Sequence, residues 1–179
     1  TKIQTIESET TRPTLDRVKE SLFNIIQNKI QGTNVLDLFS GSGALGIESL
    51  SRGANLAIFC DYNSEATKVI KQNLTKTKLQ DKAIIYNEDY KKCIIDLKKK
   101  KLKFDVIFLD PPYKLDLAVD SLKLIIENDL LNENAIIIIE TDQKDRDKKE
   151  IQEIKDKYKV DIFDERKYGR ANLIFVRKI

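Results

Sequence analysis

At 179 residues and 20.7 kDa the chain is long enough for one domain with a full core, and its 41% hydrophobic and 34% charged content suits a soluble globular protein. Lys+Arg 32 against Asp+Glu 29 leaves a net charge of only +3, so no overall basic field marks a nucleic-acid binder. Histidine is absent, which excludes Ser-His-Asp and Cys-His triads and nearly all catalytic zinc sites. Chemistry must therefore run on carboxylates, amides, hydroxyls, lysine or a bound cofactor.

The two cysteines, Cys60 and Cys93, lie far apart without a CxxC pair, and are expected as buried free thiols of a cytosolic protein. No run reaches the apolar length of a membrane span, and Thr1 opens neither a signal nor a transit pattern, so no membrane partner and a cytoplasmic location are expected. Methionine is absent even at the start, which predicts an N-terminus that is processed, trimmed or incompletely represented.

Leu15, Val18, Leu22, Ile25, Ile26 and Ile30 recur at helical spacing, with Thr14 as the expected N-cap, Pro13 just outside and Asp16 in the first turn. Val35 to Phe39 is a short apolar run, as a strand buried on both faces requires. A glycine-rich turn leads into a helix that ends near Arg52, with Gly53 closing it. Strands are then expected at Leu56 to Cys60, Ala83 to Tyr86, Phe104 to Leu109 and Ala135 to Ile139. Helices are expected after Ser64, around Tyr90 to Leu97 and around Leu117 to Ile126. The mixed-sign segment Asp142 to Lys159 reads as an exposed helix with its lead-in. Val160 to Phe163 and Leu173 to Val176 read as a final antiparallel hairpin turning near Tyr168-Gly169. Strands alternating with helices argue a single α/β sandwich with a mostly parallel sheet. Ligands of such sheets bind outside the carboxyl ends of the strands. Ser40 to Gly43, Asp61, Asn87 to Tyr90 and Asp110 to Tyr113 are thus the segments to inspect.

Gly41-Ser42-Gly43-Ala44-Leu45-Gly46 matches G-x-G-x-x-G between a strand and a helix, and Asp61 ends the next strand twenty residues beyond Gly41. Glycine permits the turn and a close ligand, and Asp61 would accept hydrogen bonds from ribose hydroxyls. This much fits NAD or S-adenosylmethionine. Asp37, four residues before Gly41, separates them: its carboxylate would repel a pyrophosphate but suits an ammonium and a sulfonium. S-adenosylmethionine carries both and no phosphate.

Phe104 to Leu109 runs into Asp110-Pro111-Pro112-Tyr113. Two prolines stiffen the loop and leave carbonyls without competing N–H groups. The Asp110 carboxylate and the Pro111 carbonyl supply the two acceptors that a planar NH2 group can satisfy, and Tyr113 offers a face for stacking a base. Holding both hydrogens out of plane pushes an exocyclic nitrogen toward sp3 and aims its lone pair at a methyl donor. Asp110 then stabilises the positive charge growing on nitrogen, and proton loss follows without histidine.

These segments are similar to those of class I S-adenosylmethionine-dependent methyltransferases that act on amino groups. More narrowly, the chain resembles the RsmD-type family, which methylates N2 of a guanine in 16S ribosomal RNA. Thr11 to Asn24, Val35 to Ala54, Phe104 to Tyr113 and Lys167-Tyr168-Gly169 carry the resemblance over nearly the whole chain. It implies one methyltransferase domain over residues 1–179, a three-layer Rossmann-like fold with a seven-stranded, mostly parallel sheet and an antiparallel C-terminal hairpin. It also implies a monomer that works on 16S rRNA or the assembling small subunit. Carried over by position, Asp37, Gly41, Ser42 and Gly43 would meet the methionine part of the cofactor, Asp61 would take the ribose and Asp89 the adenine amine. Phe39 and Tyr62 are also expected to bind the cofactor. Arg12 and Thr14 would close over cofactor or substrate, and Asp110, Pro111, Pro112 and Tyr113 would receive the flipped base. The basic arm usual before Thr-Arg-Pro-Thr is shortened here to Thr1 to Thr10, with Glu7 and Glu9. Lys98 to Lys101 reads as a solvated turn rather than a phosphate contact. The competing readings are a DNA adenine-N6 methyltransferase, a protein glutamine-amide methyltransferase, and a degenerate binding module without activity. The first usually needs a further recognition region, the second usually shows Asn where Asp110 stands, and the intact Asp110 to Tyr113 segment opposes the third.

Overall fold

The computed structural model describes residues 12–112 and 116–179, with side chains from residue 16 onward. Among the described residues six α-helices and seven strands alternate through most of the chain: α1 (Arg12–Ile26), β1 (Asn34–Asp37), α2 (Ala44–Ser51), β2 (Leu56–Cys60), α3 (Ser64–Thr77), β3 (Ala83–Tyr86), α4 (Tyr90–Lys99), β4 (Phe104–Leu109), α5 (Ala118–Glu127), β5 (Leu131–Thr141), α6 (Lys144–Tyr158), β6 (Val160–Tyr168) and β7 (Ala171–Lys178). The strands form one sheet in the order β3-β2-β1-β4-β5-β7-β6. The first five are mutually parallel, and β7 runs antiparallel to both β5 and β6. The expected α/β architecture and C-terminal hairpin are both present.

Strand alternation divides the core between two faces. Val35, Ala57, Phe59, Val106, Phe108, Ile136 and Ile138 pack with Phe23, Ile47 and Ile70, from α1, α2 and α3. Their neighbours Leu36, Ile58, Ile107, Leu109, Ile137 and Ile139 pack with Ile94, Leu122 and Ile151, from α4, α5 and α6. Each face thus receives every second strand residue, which is why runs such as Val106 to Leu109 and Ala135 to Ile139 are apolar on both faces. Both cysteines are free and buried, as expected.

Three local expectations are corrected. The first helix starts at Arg12, which places Pro13 in its first turn, where a missing N–H is harmless, and takes Thr14 away from the cap. The cap of α3 is Asn63 rather than Ser64, because the Asn63 side chain accepts from the Glu65 N–H at 2.8 Å. The first strand stops at Asp37 rather than Phe39: the Ser40 hydroxyl donates to the Asp37 carbonyl and turns the chain out of the sheet.

Chain order reverses between β1 and β4, which are adjacent while β2–β3 and β5 lie on opposite sides. In an open parallel sheet this is where the crevice at the carboxyl ends opens. Asp37 ends β1 and Asp110 follows β4, so the topology brings the glycine turn and the Asp-Pro-Pro segment to the same crevice.

Candidate active site

The glycine turn is built from backbone and four polar side chains, those of Asp37, Ser40, Asp61 and Asn73. Ser40 donates its N–H to the Cys60 carbonyl at 2.9 Å, and its hydroxyl accepts from the Cys60 N–H at 3.0 Å. Gly41 has φ +57° with nothing within 4 Å of where a Cβ would stand, so its backbone faces open space that a ligand can approach. Gly43, at φ +83°, is the N-cap of α2. Gly46 has a different reason: a Cβ there would lie 2.3 Å from the Phe59 ring, so its absence lets α2 settle onto β2. Asn73, buried in α3, donates to the Ser42 carbonyl at 3.0 Å and pins the middle of the turn. Sequence reasoning missed Asn73, since a polar residue on a helix carries no local signal of its distant partner.

Asp37 is 1% exposed and accepts from the Gly46 N–H at 3.1 Å. Burial pushes its carboxyl up to about 7; the Gly46 bond pulls it down, and Asp61 adds to the rise. Asp61 holds the turn from the β2 side, accepting from the Gly41 N–H and the Asn63 N–H, each at 2.9 Å. Asn87 bridges the carbonyls of Asp61 and Tyr62, both at 3.1 Å. Tyr62 itself is 73% exposed, a flat apolar face beside Asp61 with little protein covering it. Phe39 packs on the Tyr90 ring with centroids 5.3 Å apart. Asp89 caps α4 by accepting from the Lys91 N–H at 2.9 Å.

Asp110 is half-buried, Pro111 buried and Pro112 exposed. Beside Asp110 stands Glu140 of β5, a residue the sequence did not single out. Leu109 and Ile139 are register partners of β4 and β5, so the next residues of the two strands, Asp110 and Glu140, come out side by side. Burial together with Glu140 and Asp37 holds the Asp110 carboxyl well above the usual carboxylate range. Tyr113 lies outside the described residues, as do the side chains of Arg12 and Thr14.

The structure therefore gathers Asp37, the Gly41–Gly43 turn, Asp61 and Asp110 at the carboxyl edge of the sheet. Among the described residues no lysine or arginine forms an ion pair with Asp37, Asp61, Asp110 or Glu140. A ring of carboxylates without a protein cation, beside an open glycine backbone, suits a ligand that brings positive charge and ribose hydroxyls and no phosphate. S-adenosylmethionine meets that description. A second acidic group, Asp116, Asp147 and Glu150, has carboxylate oxygens within 4.8 Å of one another. There Arg146 pairs with Asp116 at 3.4 Å and with Asp147 at 3.2 Å, so protein charge already answers the cluster.

The family described as conserved hypothetical protein 95 matches residues 1–177. The chain belongs to this family, the RsmD-type family of the sequence resemblance. Within it, the Bacillus subtilis protein YlbH is 41% identical over 142 residues, covering 79% of this chain and 77% of that one. The Haemophilus influenzae protein named Ribosomal RNA small subunit methyltransferase D is 38% identical over 146 residues, covering 79% and 74%. The crystal structure of Haemophilus influenzae HI0767 superposes with a TM-score of 0.71 at 32% identity, covering 93% of this chain and 99% of that one. The fold of this chain is thus shared with that relative over most of both chains.

Proposed function

We propose that the chain is an S-adenosylmethionine-dependent rRNA methyltransferase, and that its target is the exocyclic N2 amine of a guanine in 16S rRNA. The observation that carries this reading is the meeting of Asp110-Pro111-Pro112 with Asp37 and the glycine turn at the β1/β4 crevice. Family membership and the name borne by the Haemophilus relative support rRNA as the substrate class. Bound S-adenosylmethionine would supply a methyl on a sulfonium, whose sulfur leaves with the bonding pair as a neutral thioether.

The residues of the chain divide the remaining work. Asp37 lies where a buried carboxylate gains most from a cationic ligand, with Phe39 flanking it and the open Gly41 backbone, followed by Ser42 and Gly43, beside it. Asp61 and Tyr62 take the ribose and its ring, and Asp89 the adenine amine. Asp110 and the Pro111 carbonyl accept the two hydrogens of the target amine, Pro112 stiffens their loop, and Tyr113 stacks on the extruded base. Arg12 and Thr14 close over the site from the start of α1. Fixing the amine this way supplies orientation and charge stabilisation, the two contributions a reaction without a histidine base needs. Guanine rather than adenine follows from the family resemblance over the first two segments, since Asp-Pro-Pro-Tyr serves amines on either base.

The test is incubation with methyl-labelled S-adenosylmethionine and, separately, small ribosomal subunits, naked 16S rRNA, DNA and release factor, followed by nucleoside analysis. Label recovered as N2-methylguanosine in rRNA is the expected result. Label confined to DNA or to protein overturns the reading.

A further inference from the structure

The Asp110–Glu140 pair is an arrangement that a fold does not keep for stability. Two carboxyls emerge side by side from adjacent parallel strands, one residue beyond the Leu109–Ile139 register pair. Asp110 faces Glu140 from β4, and Asp37 from β1 adds a further acid on the far side of Asp110. On the other side of Glu140, β7 presents Leu173, which is uncharged and buried. Among the described residues neither carboxyl has an ion-pair partner. Like charges this close, partly removed from water, do not both ionise. Sharing one proton is the stable state, and the pair sits where the target amine is to be held.

We propose that Glu140 is a positioning residue for methyl transfer: it holds a proton in common with Asp110 and takes that proton over as positive charge grows on the target nitrogen. The inference rests on the methyl-transfer reading above. At rest the proton is on Asp110 and is donated to Glu140: burial raises both groups, the nearby Glu140 raises Asp110 further, and the bond from Asp110 lowers Glu140. This fixes the carboxyl plane of Asp110 and leaves its other oxygen to accept an amine N–H. As the nitrogen takes up the methyl group it becomes a cation. The O–H bond on Asp110 then breaks as one forms on Glu140, so Asp110 becomes the anion beside that cation. The nitrogen next gives one of its protons to Asp110, and the pair, now holding two, returns one to water. Glu140 thus acts through Asp110 without touching the substrate.

The experiment compares the wild-type protein with Glu140→Gln and Glu140→Asp. Single-turnover methyl transfer is measured on the rRNA substrate that the wild type labels, across acid, neutral and alkaline pH. The proton sharing is read separately, without cofactor or substrate, by NMR titration of 13C-labelled aspartates. Glu140→Gln is expected to slow transfer roughly a hundredfold, the scale on which lost positioning acts, while S-adenosylhomocysteine binding stays within about threefold. The alkaline limb that reports loss of the shared proton should vanish from its rate profile, and the Asp110 resonance should titrate at lower pH. Glu140→Asp, which keeps a carboxyl, should restore most of the rate and the alkaline limb. A Glu140→Gln rate and profile equal to the wild type overturn the proposal. So does an equal loss in both variants with an unchanged profile, which would mark a packing role. Should Glu140→Gln fail to fold, the wild-type titration decides: an Asp110 resonance that titrates in the ordinary carboxylate range overturns the proposal. If the wild type labels no rRNA, the methyl-transfer reading fails, whereas an Asp110 titration indifferent to Glu140 refutes the proton sharing itself.

Discussion

Asp37 ties the stability of the protein to its ligand chemistry, and Asp37→Asn isolates the connection. The carboxyl is buried at the end of β1, and its folded-state value is raised from the ordinary 3.8 to about 7, with burial as the main cause. Between those two values the folded chain keeps a proton that the unfolded chain has released. Stability attributable to this group is therefore fully present below about pH 4 and lost as pH rises through about 7. Each tenfold difference in proton affinity is worth about 1.4 kcal/mol, so the rise corresponds to about 4 kcal/mol at alkaline pH, an upper figure because water and local relaxation reduce it. Asparagine has nothing to ionise and keeps an oxygen able to accept from the Gly46 N–H. The variant should match or trail the wild type in acid and exceed it by roughly 2–4 kcal/mol at pH 8. Urea unfolding of the ligand-free protein at several pH values measures this; the pH dependence of the difference is the quantity to read, since any packing cost of the amide is constant. The same variant should bind S-adenosylmethionine at least about tenfold more weakly, because it lacks the anion facing the cationic ligand. A stability difference that stays flat between pH 5 and pH 8 would refute both the buried-carboxylate argument and the role assigned to Asp37.

Three further substitutions test other parts of the site. Gly46→Ala puts a Cβ 2.3 Å from the Phe59 ring and should lower unfolding stability by about 1–3 kcal/mol, with Phe59→Leu in the same chain recovering part of the loss. Asp61→Ala strips the acceptor from the Gly41 and Asn63 N–H groups, and should destabilise the chain by about 1 kcal/mol while weakening cofactor binding about tenfold or more; calorimetric titration measures the second effect. Asp110→Ala should abolish methyl transfer yet leave S-adenosylmethionine binding nearly intact, and loss of binding instead would assign Asp110 to the cofactor.

Much of this site was legible in the linear chain because its signals are local. Period-2 and period-3.6 patterning placed the helices and strands, and the glycine turn, Asp37, Asp61 and Asp-Pro-Pro are each encoded within a few residues of a strand end. The absence of histidine likewise confined the chemistry before any fold was known. Boundaries slipped where one side chain outcompetes the pattern, as Ser40 does in ending β1 and Asn63 in starting α3. The tertiary structure decided what depends on register and on helix direction. Glu140 reads in sequence as the polar end of an apolar strand; only the pairing of β4 with β5 sets it against Asp110. Asn73 meets Ser42 only because α3 packs over the glycine turn. Lys98 to Lys101 span the last residues and C-cap of α4 and the turn beyond it, which returns toward the start of β4, so they gather at the edge of the sheet opposite the site. Local sequence specifies which backbone shape each segment prefers, whereas contact between segments distant in the chain is set by how their apolar faces jointly fill one core.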